Sequence, residues 1–202
     1  MGSVRPMPSR PPEPLGMHAH AVDNLRYIRR TMERAGSFTA VPGDGGIAMG
    51  AVALAAAFLA SRMPSAWLAI WLVAAAAACA VGIAAAIWKG RRDAMGLLAE
   101  PGRKFLMGLA PPLLAGAILT AALWRTDQLE LAPGAWMLLY GAGIVTGGAA
   151  SVRPVPAMGL CFMAVGTLAL FAPQGWANPL LAVGFGGLHI LFGSIIAVKY
   201  GG

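Results

Sequence analysis

Residues 65–88 read SAWLAIWLVAAAAACAVGIAAAIW and contain no charged side chain. An α-helix rises about 1.5 Å per residue, so roughly 20 apolar residues cross the hydrocarbon core of a membrane. This stretch is long enough and therefore predicts a transmembrane helix. The chain has 202 residues, of which 58% are hydrophobic and 11% are charged. Soluble domains carry about 25% charged residues, so the composition excludes an ordinary soluble domain.

Five further apolar runs surround this one and extend the same interpretation to the rest of the chain. Together they predict an all-α integral membrane bundle of six transmembrane helices, which occupies residues 46–202. α-Helices are favoured because a segment that spans lipid must satisfy its backbone hydrogen bonds within itself. The predicted spans are about 46–61, 65–88, 105–124, 135–151, 156–172 and 179–198.

The first 45 residues differ in character from the spans. Residues 1–19 are rich in Pro and Arg and lack the apolar core of a signal peptide, which predicts a disordered cytoplasmic tail. Residues 20–45 predict an amphipathic helix and a turn, with apolar side chains spaced by three and four on one face. The other face carries Arg26, Arg29, Arg30 and Arg34.

We expect this basic face to contact anionic lipid headgroups at the cytoplasmic surface, or a partner protein. The alternative is a solvated helix that packs on the protein's own loops. The net charge of +7 does not indicate nucleic-acid binding. The basic residues flank apolar runs, where membrane orientation explains them, and no face combines aromatic and basic side chains.

The basic residues also predict the orientation. With six spans, 13 of the 15 Lys and Arg residues lie on one side of the membrane, and only Arg62 and Arg125 lie on the other. The positive-inside rule then places both termini in the cytoplasm. Adding or removing one span would destroy this asymmetry, so the charges also favour an even number of spans. We therefore predict a multi-pass protein of a bacterial inner membrane.

An internal repeat is indicated by two aligned segments. Residues 48–67 (AMGAVALAAAFLASRMPSAW) match residues 157–176 (AMGLCFMAVGTLALFAPQGW) at eight of twenty positions, including Pro64 with Pro173. A third copy would begin at Leu106 and reach Trp136. This pattern predicts three helical hairpins in the same orientation. The alternative explanation is the shared Ala-, Leu- and Gly-rich composition of membrane helices.

Ionisable side chains are scarce within the predicted spans. All eight carboxylates lie outside the apolar cores, which argues against a proton-coupled carrier because such carriers commonly hold carboxylates at depth. His189 is the one exception at depth. It lacks a second His or a carboxylate to pair with, so a hydrogen bond to a backbone carbonyl or to a hydroxyl such as Thr146 or Thr167 competes with a functional role.

Two consecutive prolines, Pro111 and Pro112, interrupt the third span. They remove two backbone donors, so carbonyls of the preceding turn must find partners on a neighbouring helix or in a cavity. Pro111, Pro112 and His189 are therefore the candidates for an intramembrane site, although the prolines can equally serve a structural bend. Small residues one turn apart predict close helix packing, at Gly46 and Gly50, Gly143 and Gly147, and Ala182 and Gly186.

Signatures of catalysis and cofactor binding are absent from the sequence. It contains no zinc-protease helix, nucleophile elbow, phosphate loop or pair of intramembrane aspartates. His18 and His20 form only a crude metal-ligand pair, and Cys79 and Cys161 both lie in apolar runs where small packing residues are common. We therefore predict no catalytic residue, no metal site, no cofactor and no enzymatic activity.

The segment YIRRTMERAGSFTAVPGDGGIAMG, Tyr27 to Gly50, resembles the opening of a family of small polytopic membrane proteins from bacteria. That family has no assigned activity. The resemblance covers this juxtamembrane motif and the hydropathy that follows it. It implies a bacterial membrane protein and carries over no residue's role.

Three functions remain open from the sequence. The first is a non-enzymatic accessory, scaffold or signalling subunit that acts through protein or lipid contacts and forms homo-oligomers or complexes. The alternative is a small transporter or channel for a neutral or hydrophobic solute, which requires a cavity at mid-membrane depth. A lipid-modifying enzyme ranks third and requires clustered polar side chains at one membrane face.

Overall fold

The structure is a computed structural model that describes residues 24, 25, 28, 42–92, 100–149 and 151–200. Residues 1–36 and 37–202 form separate compact units, and the bundle below belongs to the second. In the first unit, Asn24, Leu25 and Ile28 are helical and exposed. The rest of the predicted tail and surface helix, including its four arginines, lies outside the described residues.

The second unit contains six long helices in the ranges that the structure describes, and no β-strand is found there. Each helix is long and apolar enough to cross a membrane. This confirms the prediction of an all-helical bundle with six candidate spans. The helices are α1 (Gly43–Arg62), α2 (Trp67–Arg92), α3 (Glu100–Arg125), α4 (Ala132–Gly148), α5 (Pro154–Phe171) and α6 (Ala177–Tyr200).

The boundaries of α4 differ from the predicted span 135–151. Pro133 occupies the first turn of the helix, where its fixed φ and missing N–H are tolerated, so α4 begins at Ala132. The helix ends at Gly148, and α5 begins with Pro154. Proline lacks a backbone N–H and is tolerated at the first position of a helix, so Pro154 is a suitable start for α5.

Contacts between the helices define their order across the bundle. α1 packs against α2 and α6, α6 packs against α5, α5 packs against α4, and α4 packs against α3. Among the described residues, α2 and α3 do not pack extensively against each other, so they stand at the two ends of this row. The start of α1 meets the end of α6, because Gly43 lies against Ala197.

Each hairpin turns through a single 3₁₀ turn placed before its second helix. These turns are Pro64–Ala66 before α2, Leu129–Leu131 before α4 and Gln174–Trp176 before α6. We call this side of the bundle the hairpin end. At the opposite side, Lys89 Nζ donates a 3.5 Å hydrogen bond to the Tyr200 carbonyl, which links α2 to the last turn of α6.

The outer surface is strongly apolar, whereas the inner contacts depend on small residues. Val73 on α2 is 70% exposed and Leu114 on α3 is 64% exposed, as expected for helices that face hydrocarbon. The inner face of α1 approaches α6 closely enough that a Cβ on Gly50 would lie 2.7 Å from the Gly186 carbonyl oxygen. Only glycine permits this approach, which maximises packing contacts where lipid supplies no hydrophobic force.

Candidate functional site

A cavity of about 420 Å³ reaches into the bundle and is lined by residues from all six helices, some of them exposed, such as Leu72 on α2 and Leu113 on α3. Its wall includes Pro112 from α3, Tyr140 from α4 and His189 from α6, each near the middle of its helix. The size lies in the range of sites for small organic ligands, which run from about 300 to 1,000 Å³. No Asp, Glu, Lys or Arg occurs among the described residues of the wall.

A hydrogen-bonded pair stands in the middle of this wall. The Tyr140 hydroxyl lies 2.8 Å from His189 Nε2, and His189 Nδ1 lies 2.9 Å from the Phe185 carbonyl oxygen. A carbonyl only accepts, so Nδ1 carries the proton of the neutral ring, and Nε2 accepts the proton of the Tyr140 hydroxyl. This assignment follows from the hydrogen-bond network.

Aromatic rings hold the pair in place. Phe162 packs edge-on to Tyr140 with ring centroids 4.8 Å apart, and it lies 5.3 Å from the His189 ring. Phe185 stacks on His189 at 6.2 Å. Phe162 is fully buried, so the orientation of both polar rings is fixed by packing as well as by hydrogen bonds.

The local backbone of α6 explains how His189 reaches its partner. Residues Ala182–Leu188 form a π-helix inside α6, and the backbone N–H of His189 donates to the Gly186 carbonyl. The Phe185 carbonyl accepts the imidazole N–H of His189, four residues further along the same helix. Such π segments occur frequently at functional sites. Gly184, Gly186 and Gly187 fall within this segment, where low helix propensity favours a departure from α geometry.

A second group of polar side chains lies at the cavity wall, where Trp136 and Thr120 line it. The rings of Trp67 and Trp136 stack with centroids 5.5 Å apart, which brings α2 against α4. Trp136 Nε1–H donates to Thr120 Oγ1 at 2.7 Å, and the Thr120 hydroxyl donates to the Gly116 carbonyl at 2.7 Å. These contacts join α2, α4 and α3 in one connected group.

Beyond this group, an asparagine ties three helices together. The Asn178 side chain of α6 donates from Nδ2 to the Ala57 carbonyl of α1 at 2.7 Å. Its Oδ1 accepts from Trp71 Nε1–H of α2 at 3.1 Å. Both functions of the amide are thus used within the protein, and the contact fixes α2 beside the cavity.

The two prolines of α3 have different positions. Pro112 lines the cavity, whereas Pro111 is exposed and does not line it. α3 continues as one helix through both. Pro112 cannot donate to the Gly108 carbonyl one turn earlier, and this oxygen instead accepts from the Thr146 hydroxyl of α4 at 2.9 Å. A neighbouring helix therefore supplies the missing donor.

The structure places the predicted packing residues at helix contacts. Gly46, Gly50 and Gly186 lie between α1 and α6, and Gly143 and Gly147 lie between α4 and α3. Ala182 is half-buried and packs against the core. Arg26, Arg29, Arg30 and Arg34 lie outside the described residues, so the predicted lipid or partner contact stays a prediction.

The hydrogen-bond partner of His189 differs from the threonines that the sequence suggested. Thr146 and Thr167 bond backbone carbonyls instead, and the partner is Tyr140. Sequence reasoning missed Tyr140, although it is the only tyrosine inside a predicted span and a phenol at that depth needs a partner. Asn178 was missed because its partners, Trp71 and Ala57, come from helices distant in sequence. Thr120 was missed because its partner Trp136 is on another helix.

Metal chemistry finds no support in the ranges that the structure describes. There, no group of three His, Cys, Asp or Glu side chains is close enough to hold an ion. His18 and His20 lie outside these ranges. Cys79 and Cys161 are free thiols, and only Cys79 lines the cavity.

Comparisons with protein-family models, curated proteins and solved structures found no match.

Proposed function

We propose that the protein is a small membrane transporter that binds a neutral or hydrophobic solute in its central cavity. The observation that carries the proposal is the cavity itself, lined by all six helices and containing Pro112 and His189 in its wall. A scaffold or accessory subunit has no need of such a space in its interior. The cavity therefore favours the transporter over the scaffold that led the sequence-based hypotheses.

The chemistry of the wall supports a neutral solute. Carboxylate and basic side chains are missing from the described lining, and a charged solute without a counter-charge would be costly at this depth. The polar pair of Tyr140 and His189 would orient the bound solute, and contact with the apolar side chains would supply most of the affinity, as is usual for small-molecule sites.

The helix order supports access from the bilayer. Residues of both α2 and α3 line the cavity, yet the two helices do not pack extensively on each other within the described ranges. A solute dissolved in hydrocarbon would reach the interior between them. We further propose the bacterial inner membrane as the location, with both termini cytoplasmic, because 13 of the 15 basic residues fall on that side.

A matched pair of substitutions on α2 tests the proposal. Ala78 lines the cavity, whereas Ala77, the preceding residue, is exposed and does not line it. The protein in lipid nanodiscs is labelled with a diazirine-bearing hydrocarbon, and labelled residues are mapped by mass spectrometry. We expect label on Tyr140 in the unaltered protein and in Ala77→Phe, and less of it in Ala78→Phe, because the new ring occupies part of the cavity.

Exposed Leu160 on α5 serves as the internal reference, since bilayer contact alone should label it equally in all three proteins. Label confined to such outer positions in the unaltered protein would overturn the proposal. Equal Tyr140 labelling in Ala77→Phe and Ala78→Phe would do the same.

A further inference from the structure

The hydrogen-bond donors on the polar side chains of the cavity wall, apart from one thiol, already have acceptors within the protein. In the part of the chain that the structure describes, Trp71 donates to Asn178, Trp136 donates to Thr120, and Thr120 donates to Gly116. Tyr140 donates to His189 Nε2, and His189 Nδ1–H donates to Phe185. The weak S–H of Cys79 is the remaining donor on a side chain of this wall.

Side-chain oxygens of the wall, in contrast, can still accept hydrogen bonds. A tyrosine oxygen that donates its own proton still holds lone pairs that can accept a hydrogen bond. Tyr140 is half-buried and lines the cavity, so its oxygen is the candidate acceptor for a ligand bound there. Thr120 is only 8% exposed, and its oxygen already accepts from Trp136. The wall thus presents one well-placed acceptor in an otherwise apolar surface.

We propose, on the basis of the function proposed above, that the ligand is an amphiphile with an apolar body and a single hydroxyl group. The hydroxyl donates to Tyr140 Oη, and the body fills the apolar remainder of the cavity. A ketone or an ether of the same size brings only an acceptor, which would face the Tyr140 oxygen without a shared proton. A second hydroxyl would lie against apolar side chains and would lose its hydration without replacement.

His189 determines this preference without contacting the ligand. Nε2 accepts a hydrogen bond from the Tyr140 O–H. The lone pairs of the Tyr140 oxygen are then left to accept a hydrogen bond from the ligand. Removing the imidazole frees the Tyr140 O–H to donate to an alcohol oxygen or an ether oxygen alike, so the preference for the alcohol should weaken. Removing the Tyr140 hydroxyl instead exposes Nε2, which is itself an acceptor, so the preference for a donor should persist.

Competition against the photoreactive hydrocarbon measures the preference. The protein in nanodiscs is labelled in the presence of dodecanol, dodecyl methyl ether or dodecane, each at the same mole fraction in the lipid. We expect dodecanol to suppress Tyr140-region labelling at roughly three- to tenfold lower mole fraction than the other two, as one neutral hydrogen bond predicts. Tyr140→Phe should keep this order, and His189→Leu should weaken or lose it.

The outcomes separate the two proposals. Equal competition by all three compounds would overturn the ligand class and leave the hydrocarbon-binding function standing. Absence of saturable labelling in the interior would overturn the function itself. If His189→Leu does not fold, the unaltered protein and Tyr140→Phe still decide, because a preference for the ether in either one contradicts the assigned donor and acceptor roles.

Discussion

Gly108 and Gly116 lie on the same helix, two turns apart, but differ in the space around them. A Cβ on Gly108 would come within 2.5 Å of the Gly147 backbone nitrogen on α4. A Cβ on Gly116 would meet nothing closer than the Leu139 side chain at 3.7 Å. The first glycine sets the separation between α3 and α4, whereas the second leaves room for a methyl group.

We expect Gly108→Ala to lower the thermal midpoint of the protein in detergent, because α3 must move away from α4. Overpacking of this kind costs about 1–3 kcal/mol. Gly116→Ala is the control and should leave the midpoint unchanged or raise it, since alanine favours the helix by up to about 1 kcal/mol. Equal effects of the two substitutions would contradict the close approach at Gly108.

At the level of single residues, the sequence predicted part of the candidate site. His189 stands out because an imidazole inside an apolar run is rare, and the structure places it in the cavity wall. Tyr140 does not stand out by charge, and its contact with His189 joins residues 49 positions apart. A pairing at that distance depends on which helices are neighbours, and hydropathy carries no information about that.

Among the helices, α3 shows how two consecutive prolines are accommodated within a predicted span. Pro112 leaves the Gly108 carbonyl without its helical donor, and Thr146 of α4 supplies a hydrogen bond at 2.9 Å. The Thr146 hydroxyl also lies 2.9 Å from its own helix carbonyl at Ala142. The hydroxyl can therefore return to α4 whenever Gly108 has another donor.

A double-mutant cycle at these positions gives a second prediction. Thr146→Val should destabilise the protein by about 1–3 kcal/mol, because it leaves the Gly108 carbonyl unpaired. In a Pro112→Ala background the restored Ala N–H satisfies that carbonyl, so the same substitution should cost less. Thermal midpoints of the four proteins in one detergent measure the coupling. Strict additivity would show that Thr146 does not compensate for the proline.

The π-helix of α6 was beyond prediction from the sequence. Its glycines lower the helix propensity, but a low propensity also fits an ordinary loop or a close helix contact. The choice of a π segment depends on the Phe185 carbonyl meeting the imidazole and on Gly186 lying against α1. The contact of Gly186 with α1 is tertiary, whereas the bond between His189 and Phe185 joins residues four apart in the same helix.

For the whole molecule, the number of helices able to span a membrane was predictable and their arrangement was not. Six apolar runs predict six helices because lipid forces each segment to satisfy its own backbone. The order of helices across the bundle, with α1 beside α6 and α2 apart from α3, depends on side-chain shape. The apolar composition of every helix leaves several orders equally compatible with hydropathy.

The orientation can be tested at the two ends of the bundle. We expect a reporter fused after Gly202 to be active in the cytoplasm, and a cysteine at exposed Gln128 to react with a membrane-impermeant maleimide from outside. Gln128 is chosen over Asp127, whose φ of 55° suits Asp better than most side chains. The protein for labelling carries Cys79→Ala and Cys161→Ala. A periplasmic C-terminus would contradict the charge asymmetry.

The central claim is that the cavity communicates with the hydrocarbon of the bilayer and takes up a hydrophobic solute. Cys79 lines it and offers a native attachment point for a nitroxide once Cys161 is replaced by serine. A reference label at Ala77→Cys, in a protein with Cys79→Ala and Cys161→Ser, reports the lipid-facing side of the same helix.

Power saturation of the spin-label spectrum, with oxygen and with a water-soluble nickel chelate as relaxing agents, tests this claim most directly. We predict that the label at Cys79 collides with oxygen nearly as often as the reference label does and is shielded from the chelate. Greater access to the nickel chelate than to oxygen at Cys79 would mean a water-filled interior and would contradict the account.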